Sequence, residues 1–95
     1  MSHYIALIHK EPDSIYGVSF PDVPGVTTGA SSIDEAIRLA AEVLAFAATD
    51  WEALRHEPFP APRTIDEIRE DPEHAVEIRD AIVAAIPMNA LADAA

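Results

Sequence analysis

Tyr4-Ile5-Ala6-Leu7-Ile8-His9 is apolar on both alternating faces for most of its length, as expected for a central strand covered on at least one side. A second strand is predicted from Ile15, where Tyr16, Val18 and Phe20 alternate with Gly17 and Ser19, giving one large apolar face and one small one. The polar run Lys10 to Ser14 has the length and the proline of an antiparallel connection between them. Pro21 and Pro24 cannot donate to a sheet ladder and Gly25 can take a positive φ, so Pro21 to Gly25 should leave the sheet and turn back. Val26, Thr27 and Thr28 favour the pleated surface again, up to Gly29, which completes a three-stranded meander.

From Ile33 the period changes. Ile33, Ala36, Ile37, Ala40, Ala41, Leu44, Ala48 and Trp51 recur at helical spacing, with Asp34, Glu35, Arg38, Glu42 and Thr49 opposite. Ser32 and Glu35 form a capping-box signature at the start. Leu39, Val43 and Phe46 widen the apolar stripe sideways, which fits either plain core packing or a flank that meets another subunit or partner. Pro58, Pro60 and Pro62 stop the helix and predict an extended crossing. Thr64 and Glu67 make a second capping box for a short helix ending near Glu70, and Ala75 to Arg79 is open to either state. Ala81 to Ile86 is a short apolar run closed by Pro87, assigned as a strand. The order is β-β-β-α-(α)-β, an α+β fold with helices on one face of a mainly antiparallel sheet.

The chain has 95 residues, enough for one domain that buries roughly 60–65% of its unfolded surface. It has no Cys, which excludes disulfides, thiolate metal sites and cysteine nucleophiles and fits a cytoplasmic location. No apolar run is long enough to span a bilayer. Seventeen acidic residues against six basic ones give a formal charge of -11, which repels phosphate backbones and suits a basic protein partner.

Little in the chain promises catalysis. His3, His9, His56 and His74 are scattered without metal-motif spacing, so no metal or cofactor is expected. Ser19 sits in Gly17-Val18-Ser19-Phe20-Pro21, which lacks the second glycine of a nucleophile elbow. His56, near the end of the long helix, suits the negative end of the helix dipole. Asp22, in the tight turn, is the most interesting carboxylate, and accepting turn N–H groups is its simplest role.

Tyr4 to Ile8, Tyr16-Gly17-Val18-Ser19-Phe20-Pro21-Asp22-Val23-Pro24-Gly25, Gly29 and Ile33-Asp34-Glu35-Ala36 together resemble the N-terminal domain of the HicB family of type II antitoxins. Pro60-Ala61-Pro62-Arg63 leading into Ile65-Asp66-Glu67 resembles the same family. The resemblance implies a partial RNase H-like fold without that fold's activity, because Ile, Leu, Val and Phe occupy the strand positions where metal-binding carboxylates would stand. It also implies a non-enzymatic antitoxin that binds and masks a HicA-like mRNA interferase, a small basic RNase, and that forms a homo-oligomer. Operator DNA would be a partner only through a further C-terminal domain. The family-like domain is expected over residues 1–88, with 89–95 as a short Ala-rich tail and no DNA-binding domain. Exposure and charge point to Asp22, Val23, Pro24, Asp34 and Glu35 as partner contacts. The alternative is a stand-alone domain that self-associates or binds a small ligand.

Overall fold

The computed structural model describes residues 3–88. Strands β1 (His3–Lys10), β2 (Tyr16–Ser19) and β3 (Thr27–Ala30) precede the long helix α1 (Ile33–Arg55). The short helices α2 (Ile65–Glu70) and α3 (Ala75–Arg79) then lead to β4 (Ile82–Pro87). All pairings are antiparallel in the order β3-β2-β1-β4, so β1 is an inner strand and the meander and final strand are as expected. The proposed tail, 89–95, lies outside the described residues.

The alternation of β1 decides the layering. Tyr4, Ala6 and Ile8 point to one face and pack with Val18, Ile86 and the buried residues Ala36, Ala40, Leu44 and Trp51 of α1. Ala36 and Ala40 carry only a methyl group, so the helix lies close to the sheet there. Ile5 and Leu7 point the other way, into a smaller core with Ile65, Ile68, Ile78 and Ala81. Helices α2 and α3 therefore cover the face opposite α1, which corrects the expectation of helices on one face. A strand apolar on both sides needs two covers.

Between the layers, the proline segment is tied down rather than loosely draped. Tyr4 donates a hydrogen bond to the Pro60 carbonyl at 2.5 Å. Phe59 meets Tyr4 and Trp51 edge-on, with ring centroids 5.6 and 5.3 Å apart. Burial raises the Tyr4 phenol above its ordinary value, and the negative Asp22 adds to the effect.

The two capping signatures behave differently. Thr64 and Glu67 form the full reciprocal box, at 3.2 and 2.9 Å. At α1 the Ser32 hydroxyl accepts from the Glu35 N–H, while the Glu35 carboxylate turns to Arg38 at 4.0 Å. Arg38 also reaches Glu42, so a helix-surface pair competes with the second half of the cap. At the other end His56 adopts a left-handed φ of 56° and donates its N–H to the Glu52 carbonyl, the αL way of ending a helix.

Candidate partner-binding surface

The turn between β2 and β3 is the best-braced loop of the fold. Two successive turns build it, with the Val23 N–H donating to the Phe20 carbonyl and the Val26 N–H to the Val23 carbonyl. Gly25 takes the expected positive φ, 88°, and a Cβ there would lie 3.4 Å from an Arg55 guanidinium nitrogen. The turn thus sits against the C-terminal end of α1.

Asp22 does not serve its own turn. Its side chain is 3% exposed and accepts from the Arg63 backbone N–H at 2.7 Å and from Arg63 Nε at 2.5 Å. Arg63 also donates to Asp71 at 3.0 Å, and the Asp71 carboxylate accepts from the Glu73 N–H at 2.9 Å. One guanidinium therefore ties the β2–β3 turn to the end of α2. The bonds from Arg63 and Glu73 hold the Asp71 carboxyl below the ordinary carboxylate range, and the bonds to Asp22 and Asp71 hold Arg63 above its own.

A cleft of about 310 Å³ opens beside this bridge, lined by residues including Pro24, Arg63, Asp71 and His74. Asp71, Glu73 and His74 bring possible metal-ligand atoms within 4.8 Å of one another. Both Asp71 oxygens already accept hydrogen bonds, and His74 Nδ1 lies 3.2 Å from a Glu77 carboxylate oxygen, so internal partners account for the cluster. Ser19 lies at the end of β2 and lines the same cleft. Among the described residues, hydrogen bonds and an ion pair within the chain account for this arrangement.

The five expected contact residues do not form one patch. Asp22 and Val23 are buried, the latter completely, which corrects the assumption that a polar turn is exposed throughout. Pro24 is exposed, as are Asp34 and Glu35 in the first turn of α1. The Pro24 turn abuts the C-terminal half of that helix, whereas Asp34 and Glu35 lie in its first turn.

A different surface is more conspicuous. Phe46 and Leu54 are 68% and 76% exposed on α1. With Val26, Ala47, Asp50, Trp51 and Arg55 they line a groove of about 170 Å³. The Arg55 guanidinium stacks 4.0 Å from the Trp51 ring centroid, and the buried Trp51 indole N–H has no acceptor among the described residues. The periodicity signalled Phe46 through the widened stripe. Leu54 drew no notice because it lies two turns beyond.

Comparison with known proteins accords with this fold. No curated protein matches the chain in sequence. Among solved structures, the antitoxin HicB of Burkholderia pseudomallei superposes with a TM-score of 0.70 at 30% identity, over 92% of this chain and 63% of that one. The chain thus spans less than two thirds of that antitoxin's length. The N-terminal domain of the same antitoxin gives 0.70 at 28% identity, over 90% of this chain and 95% of that one. A chain of a HicA3 and HicB3 toxin-antitoxin complex gives 0.65 at 20% identity, over 90% and 95%, a likeness of fold. A family described as the HicB-like antitoxin of bacterial toxin-antitoxin systems matches residues 4–95. Fold and family match agree, and the chain belongs to the HicB-like antitoxin family.

Proposed function

We propose that this chain is an antitoxin that binds a HicA-like mRNA interferase and masks it, acting as a binding protein rather than an enzyme. The family match across residues 4–95 carries this reading. The related fold in a HicA3 and HicB3 complex supports the choice of partner. The charge of -11 fits it as well, since an RNA-cutting partner needs cations to hold phosphates and complementary fields speed encounter. The segment from α2 to the end of α3 carries part of that charge, with Asp66, Glu67, Glu70, Glu73, Glu77 and Asp80 exposed against Arg69 and Arg79. Pro24, Asp34 and Glu35 are available to a partner, whereas Asp22 and Val23 act from inside by fixing the turn.

The test is growth of cells that express a cognate HicA-like RNase, with and without this chain. Rescue together with co-purification is the expected outcome. A toxin that stays fully active and fails to co-purify would overturn the reading.

A further inference from the structure

We infer that the flank of α1 formed by Leu39, Val43, Phe46, Asp50 and Leu54 is the seam on which the basic toxin docks a helix. The inference rests on the proposed function and names the surface that performs it.

At 100° per residue these five positions fall within about 80° of arc. The spacing from 39 to 50, four-three-four, is that of a helix-packing seam. The core-facing stripe of Ala36, Ala40, Leu44 and Trp51 is centred to one side of it. Leu39 and Val43 are half-buried against the main core, so the seam begins in the core and emerges at Phe46 and Leu54. Beside it lies the groove with Val26, Ala47 and Trp51 on its walls, a receptacle for an apolar side chain.

Charge selects the occupant. Asp50 stands in the middle of the seam, exposed, and Glu35 and Glu42 border its outer side. The cations nearby are engaged: Arg38 pairs with Glu35 and Glu42, and Arg55 lies over Trp51. A second copy packed antiparallel about Phe46 and Ala47 would set each Asp50 against the partner's Val43, with no cation opposite it. Covering an unpaired carboxylate is costly, and chains that each carry -11 repel one another, so that pairing is disfavoured. A helix with apolar residues for the groove and a Lys or Arg opposite Asp50 satisfies every feature of the seam. An RNA-cutting protein, rich in phosphate-binding cations, can supply it.

The experiment measures toxin affinity by calorimetry for the wild-type chain, Phe46→Glu/Leu54→Glu, the milder Phe46→Ser/Leu54→Ser, Asp50→Lys, and Val76→Glu as a control on exposed α3. Circular dichroism and thermal melting verify folding of each. Both double variants should weaken binding at least ~30-fold, as loss of an aromatic anchor does. Asp50→Lys should weaken binding most at low salt, and Val76→Glu should bind like wild type. Wild-type affinity in folded double variants would overturn the inference while leaving the toxin-binding reading intact. So would loss of a homo-oligomer with toxin affinity unchanged. A wild-type chain that does not bind toxin at all would refute the proposed function itself.

Discussion

Arg63 fastens the two sides of the molecule through three hydrogen bonds from its own atoms, two to Asp22 and one to Asp71. Removing its side chain leaves the buried Asp22 carboxylate with only a backbone donor. Since Arg63 is 34% exposed, water softens the loss, and Arg63→Ala should destabilise by about 2–3 kcal/mol in denaturant titration. Asp71 adds a pH dependence. Its folded-state pKa is depressed below 3.8, so its contribution is complete above that value and is lost as pH falls through the lower one. Asp71→Asn should therefore melt below wild type near neutrality, with the gap closing below about pH 4. Tyr4 has the opposite sign, because its raised pKa favours the protonated phenol in the fold. Its contribution is complete below 10.0 and fades as pH rises through the higher folded value, so Tyr4→Phe should flatten the alkaline fall in melting temperature. His56 holds a left-handed φ that glycine adopts freely, and His56→Gly should raise stability by about 0.5–1 kcal/mol. Part of this was legible in the sequence. Gly25 and the two capping signatures announced themselves by residue type and spacing. The Asp22–Arg63 bond did not, since it joins residues 41 apart and no local rule connects them.

At the scale of elements, periodicity placed the four strands and α1 because each buries a regular face. The chain's division into two layers was harder to see. The pattern of β1 already held the signal, in that Ile5 and Leu7 are as apolar as Tyr4 and Ile8. It could be read as a need for cover on both sides, but not as which element supplies it. Helices α2 and α3 are short and weakly amphipathic, and they hold their place through Ile68 and Ile78 against Leu7. Ile68 is wholly buried, so Ile68→Ala should cost about 2–4 kcal/mol. Because this second core is small, amide hydrogen exchange in α2 and α3 should accelerate in that variant more than in α1. Equal acceleration throughout would show the two layers to be one cooperative unit.

For the whole molecule, the same architecture separates two kinds of surface. The α2–α3 side carries a run of exposed acidic residues, suited to steering a cationic partner. The exposed flank of α1 is apolar around a single carboxylate, suited to holding one. Composition revealed the first, and the sideways widening of the apolar stripe pointed to the second. The turn residues Asp22 and Val23 misled because a turn rich in proline and aspartate reads as exposed, whereas here it folds inward onto Arg63. No helix among the described residues is long and apolar enough to cross a membrane. Masking acts on an activity other than the chain's own. The most direct measurement is cleavage of a defined RNA by the purified cognate toxin, titrated with this chain. Cleavage should fall to background as the chain reaches stoichiometric amounts. Undiminished cleavage in the presence of excess folded chain would contradict it.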